Sequence, residues 1–200
     1  MSEQAEVRLI ALIAVMAVVG CWLLARTFAS RRKQRFLAIA HALGGQPEMV
    51  NDYLISFQAT VGGRVFEVRC QHIGGGGQEG SGWTPDWYLV TSTQLRGVSE
   101  LHSADIRPRS RPSAAARVPT AEDFVVRDAG YPLRNGWFTP DVARSLQAFY
   151  LAKLPLEPLS IEEGCLVHRS RPLLSRFDAA GLRSFLERQA VVAAALERVL

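Results

Sequence analysis

The sequence predicts an α+β fold, with one N-terminal transmembrane helix followed by a single soluble domain, mostly antiparallel sheet with helices packed on one face. Three observations carry that prediction. Leu9 to Ala25 is a run of 17 residues without a charge. Tyr53 to His72 alternates apolar and polar residues symmetrically about Gly62-Gly63. Two later segments, opening at Thr139-Pro140 and at Asp178, carry apolar residues at helical spacing. Helices that each bury one stripe against the apolar face of a sheet form a stable layered arrangement of such elements.

At about 1.5 Å per residue the run from Leu9 to Ala25 makes a helix of roughly 26 Å, close to a hydrocarbon core of about 30 Å. The stems of Arg8 and Arg26 can snorkel at its ends, and Trp22 stands where an indole favours the membrane interface. Arg26, Arg31, Arg32, Lys33 and Arg35 follow the run, whereas Arg8 alone precedes it. The positive-inside rule then predicts a plasma (inner) membrane protein with residues 1–8 as a short outside tail and the C-terminal domain cytoplasmic. The five basic residues are the expected contacts to anionic lipid headgroups, at about 1 kcal/mol each beside a charged surface. They belong to a basic juxtamembrane helix over 26–43, with Phe36, Leu37, Ala40 and Leu43 on one face and Gly44-Gly45 as its stop. No proline separates it from the apolar run, so one continuous helix is expected.

Val18-Val19-Gly20-Cys21 resembles the lipobox of bacterial lipoproteins. That resemblance implies cleavage before Cys21, acylation of Cys21 and a lipid-anchored domain outside the cytoplasm, with a Cys70–Cys165 disulfide as a further expectation. Against it stand Glu3 and Glu6 ahead of Arg8, where a signal peptide opens with positive charge, and the apolar residues Trp22 to Ala25 beyond the cleavage point.

In the domain over 44–200, the first element is a hairpin. Pairing outward from the Gly62-Gly63 turn sets Val61 against Arg64, Ala59 against Phe66, Phe57 against Val68, Ile55 against Cys70 and Tyr53 against His72 on one face. The other face pairs Gln58 with Glu67, Ser56 with Arg69 and Leu54 with Gln71, and a slip of one residue would invert the whole pattern. A glycine-rich flexible loop follows over 74–82, beside Trp83 and Trp87, which make a candidate partner-binding flap. Leu89 to Leu95 reads as a third strand. A second flexible loop is expected over 105–121, where Pro108, Pro112 and Pro119 alternate with Arg107, Arg109, Arg111 and Arg117. Phe124 to Arg127 reads as a strand. Thr139 caps a helix to about Lys153, with Pro140 at its first position. Leu159 to Ile161 and Leu166 to Arg169 read as strands joined at Glu163-Gly164, and Asp178 caps a final helix striped by Leu182, Leu186, Gln189, Ala193, Leu196 and Leu200.

The charge is unevenly placed. Residues 1–35 hold six basic and two acidic side chains, whereas 36–200 hold 17 of each, so the net +4 lies wholly beside the apolar run. A nucleic-acid binder needs basic residues on its folded domain, so no nucleic-acid partner is expected. Arginine outnumbers lysine 21 to 2, a bias associated with GC-rich bacterial coding. Three cysteines exclude a disulfide scaffold. Cys70, His72, Cys165 and His168 form no metal-binding spacing, and Gly74–Gly82 lacks the lysine and following helix of a phosphate loop, so no cofactor is expected. Gly80-Ser81-Gly82 is no nucleophile elbow, and Glu162-Glu163 at a turn are expected to be solvated. The expected function is a single-pass membrane protein whose cytoplasmic domain acts as a tethered binding or adaptor module, with a membrane protein as partner. The alternatives are the Cys21-anchored extracytoplasmic ligand-binding domain and a membrane-bound enzyme.

Overall fold

A computed structural model describes residues 3–51, 54–73, 86–100, 102–109, 119–128, 136–151, 157–170 and 178–200. In chain order they form α1 (Glu3–Ala42), β1 (Glu48–Asn51), β2 (Leu54–Val61), β3 (Arg64–Ile73), β4 (Asp86–Gln94), β5 (Ala104–Pro108), a 3-10 turn (Ala121–Asp123), β6 (Phe124–Asp128), α2 (Pro140–Leu151), β7 (Leu159–Glu162), β8 (Cys165–Ser170) and α3 (Ala179–Glu197). The chain divides into two units, Met1–Ala38 and Ile39–Leu200.

The first unit consists of most of α1, a helix of 40 residues without a break. This continuity is the one expected from the lack of an intervening proline. Leu12, Ile13, Val15, Met16, Val18, Val19, Trp22 and Leu23 are each 46–69% exposed, so apolar side chains stand out on every side of the helix. Among the described residues, however, no helix is long and apolar enough to cross a membrane. The apolar side chains described cover 12–23, about 18 Å of helix against a core of about 30 Å. The span expected from Leu9 to Ala25 is therefore not supported: Leu9, Ile10, Ala11, Leu24 and Ala25 lie outside the described side chains.

The second unit is an α+β fold built on one eight-stranded sheet in the order β1-β2-β3-β4-β8-β7-β5-β6. Every neighbouring pair is antiparallel. α1 stops by a paired backbone motif, in which the N–H of Gly45 donates to the carbonyl of Ala40 at 2.9 Å and that of Gly44 to His41 at 3.0 Å. Gly44 has φ +75°, the left-handed conformation that glycine adopts without strain. Gly45 is needed for a different reason: a Cβ there would meet Phe57 Cδ2 at 2.5 Å and the Gln58 carbonyl at 2.7 Å.

The β2–β3 register agrees with the sequence at every described pair, from Val61↔Arg64 to Leu54↔Gln71, and Gly62 and Gly63 both have positive φ. Tyr53 lies outside the described residues. One face of the sheet collects Ile55, Phe57, Phe66, Val68, Leu89, Ile106, Leu159, Ile161 and Leu166, all buried. α2 buries Val142, Leu146, Phe149 and Tyr150, and α3 buries Leu182, Phe185, Leu186, Val192 and Leu196; rings of both helices meet His168 of β8 on that same face. Both caps foreseen in the sequence are present: the N–H of Val142 donates to Thr139 Oγ1 at 3.4 Å and that of Gly181 to Asp178 Oδ1 at 2.7 Å.

Two strands were not legible. β1 is a four-residue edge strand with an irregular register between Met49 and Asn51. β5 occupies the start of the loop expected over 105–121: Ala104, Ile106 and Pro108 point to the core while Asp105 and Arg107 are exposed. Pro108 is tolerated because it closes the strand, two residues past the last pair with β7 at Ile106↔Leu159.

Candidate functional site

The face of the sheet opposite the helices carries the charged side chains of the middle strands, with Val90 and Val167 buried among them, and strand alternation is the reason. Where Phe57, Val68 and Leu166 turn inward, their neighbours Gln58, Glu67 and Cys165 turn outward. Across the middle strands the outward residues pair by charge and hydrogen bond. Glu67 and Arg69 approach to 3.2 Å. Arg169 grips Glu162 with two parallel hydrogen bonds of 2.5 Å. Ser160 Oγ donates to Asp105 Oδ1 at 2.6 Å. Glu162 was expected to be solvated; instead the Arg169 guanidinium holds its carboxyl below the usual range, overriding a smaller upward push from partial burial. Cys165, also outward, has its thiol raised first by partial burial and then by Glu163 and Glu67. A thiol so placed is a poor nucleophile.

Near the β1 edge this face holds an open groove of about 380 Å³ lined by Gln46, Glu48, Ser56, Phe57, Gln58 and Glu67. Amides, a hydroxyl and two carboxylates make it suited to polar contact and give it no nucleophile–base pair.

The covered face carries its own polar groups, uncharged in its middle; at its rim the guanidinium of Arg64 on β3 donates to the carboxylate of Glu197 on α3, with both side chains largely buried. Gln189 of α3 is fully buried: its Oε1 accepts from Thr91 Oγ1 at 2.7 Å, and its Nε2 donates to the Leu166 carbonyl at 3.0 Å. Tyr150 Oη donates to the Ile106 carbonyl and accepts the Leu159 N–H at 2.9 Å. Burial raises its phenol far above the usual range, so it stays protonated. His168 is 1% exposed and sits against the rings of Phe149 and Phe185, with centroids 5.4 and 5.1 Å away. Burial pushes its imidazole down to about 4. A general base needs solvent or substrate access, and a triad needs an orienting carboxylate; among the described residues His168 has neither.

The residues singled out in the sequence lie on separate elements where they are described. Arg31 and Arg35 are exposed and Lys33 half-buried on α1, and Arg26 and Arg32 lie on the same helix with side chains outside the described residues. Trp87 lies on β4 opposite His72, its side chain not described; Trp83 and the loop over 74–82 fall outside the described residues. Cys21 is exposed on α1. Cys70 and Cys165 are free thiols on opposite faces with β4 between their strands, which corrects the disulfide expected of the lipoprotein alternative. Among the described residues no group of three His, Cys, Asp or Glu side chains could hold a metal ion. The groove was missed because it depends on which strands become neighbours, and the Glu162–Arg169 pair because it runs diagonally across the β7–β8 hairpin, where Cys165 is the residue directly opposite Glu162. A scan against protein-family models finds no match, and searches of curated proteins and of solved structures find no significant match to this chain.

Proposed function

We propose that this chain is a membrane-tethered binding module: the apolar part of α1 enters the bilayer of the plasma membrane, Arg26, Arg31, Arg32, Lys33 and Arg35 meet anionic headgroups, and the cytoplasmic domain offers the open sheet face to a membrane-protein partner. One observation supports this reading above the others. From Leu12 to Leu23 large apolar side chains are exposed on all sides of a helix, and contiguous apolar surface of this kind calls for an apolar cover. A bilayer covers every side at once; a single protein groove covers one. Tethering then raises the domain's effective concentration beside other membrane components, which suits contacts as modest as an open polar face makes.

Flotation of the full chain with vesicles containing anionic lipid tests the tether. The wild type is expected in the floated fraction even at high salt, and a Val15→Lys, Val19→Lys double variant at the bottom. A wild type that stays at the bottom sinks the proposal. Trypsin treatment of spheroplasts and of inverted vesicles then tests the side: cutting of the domain in inverted vesicles alone fits the cytoplasmic reading.

The exposed thiol of Cys21 keeps the lipid-anchored reading specific. It requires a mass gain of acyl chains at Cys21, lost in Cys21→Ser, and cutting of the domain in spheroplasts.

A further inference from the structure

We propose that His168 is an acid-sensitive latch, whose protonation loosens the layer of α2 and α3 from the sheet. Its place in the fold carries the idea. The imidazole stands on β8 where sheet and both helices meet, edge-on to Phe149 of α2 at 5.4 Å and tilted against Phe185 of α3 at 5.1 Å. Its Nε2 is buried without a hydrogen-bond partner.

Among the described residues the groups around it offer a proton no compensation: α3 brings the Phe185 ring against it and the neutral Gln189 beside it. On β4 the residue opposite is Thr91, whose hydroxyl is committed to Gln189 of α3. On β7 it is Leu159. On α2 the titratable neighbour is Tyr150, kept neutral by burial and engaged with Ile106 and Leu159. The charged groups of these strands, Glu162, Arg169 and Asp105, alternate onto the open face. Among the described residues no charged group faces the imidazole, and burial brings it down to about 4.

An imidazolium here would be a buried charge without counter-charge, which a protein interior tolerates poorly. The shortest route to its hydration is separation of the aromatic rings above it, that is, movement of α2 and α3. One proton is then taken up on opening. By linkage the opening constant rises up to tenfold per pH unit between the ordinary imidazole range near 6.5 and the folded value.

Hydrogen–deuterium exchange of the full chain, corrected for the intrinsic pH dependence of exchange, measures this directly. From about pH 6.5 to about pH 4.5 the amides of α2 and α3 are expected to lose protection by up to tenfold per unit, and His168→Phe is expected to abolish that slope. A flat wild-type profile, or an unchanged slope in His168→Phe, overturns the proposal. If that variant does not fold, NMR titration of the wild-type imidazole decides: a midpoint below about 5.5 supports the latch, and one at or above it overturns the latch. These readouts are independent of whether α1 enters a bilayer.

Discussion

The two faces of the sheet share the same backbone and solve opposite problems. Among the described residues, the helix-covered face holds polar groups that are neutral in its middle and satisfied save for His168, with one closely compensated ion pair, Arg64 with Glu197, at its rim. The open face holds charges in pairs, Arg169 with Glu162 and Arg69 with Glu67, with side chains 35–46% exposed. Desolvation explains the division. A neutral amide such as Gln189 can be buried when its hydrogen bonds are met, whereas a buried ion needs close compensation and a half-exposed one does not. Alternation along each strand sorts these side chains to their faces.

This contrast can be broken by experiment. The largest effect is expected from Phe149→Ala, which removes a ring packed on His168, Phe185 and Tyr150. Urea unfolding should show a loss of about 3–5 kcal/mol; a loss under about 1 would mean that the covered face is no tight core. Next comes pH. Because the folded imidazole of His168 lies near 4, below its unfolded value near 6.5, the unfolded state binds more protons in that window. Stability therefore falls as pH drops from about 6.5 through about 4, by roughly 3 kcal/mol in all, and His168→Phe should flatten the curve. A smaller effect follows from Gln189→Leu, which strands the Thr91 hydroxyl and the Leu166 carbonyl in the core. A loss of about 1–3 kcal/mol is expected, with the Thr91→Val, Gln189→Leu pair recovering part of it. The smallest belongs to the open face: Arg169→Ala should cost under about 1 kcal/mol, and less again at high salt. A cost as large as that of Gln189→Leu would show that the open face is covered by something in solution.

How much of this was legible depended on the reach of each signal. The β2–β3 hairpin could be read residue by residue, because Gly62-Gly63 fixes the turn and a period of two fixes the faces. Caps at Thr139 and Asp178 were equally local. β1 escaped because four residues with an irregular register carry too little pattern. β5 escaped because Pro108 and its arginine neighbours suggest a loop, while Ala104 and Ile106 supply just two strong inward positions. The pairing of β4 with β8 joins segments more than 70 residues apart, and no local pattern announces it. His168 was visible as a histidine on a strand, but its surroundings come from α2 and α3, and Glu162 looked solvated until β8 brought Arg169 beside it.

The position of α3 also sets a schedule for synthesis. It is C-terminal to every strand, yet it is the helix that lies over β2 and β4. As the chain leaves the ribosome, the β2–β3 hairpin can close early, since its contacts are local. Its inward row of Ile55, Phe57, Phe66 and Val68, in which Gly45 lies against Phe57, then waits for the rest of its cover until residues 179–197 have been made. During that interval the nascent chain presents a sticky half-sheet, the kind of intermediate that aggregates or engages chaperones. A message stalled before α3 should therefore yield an insoluble product, not a smaller folded one.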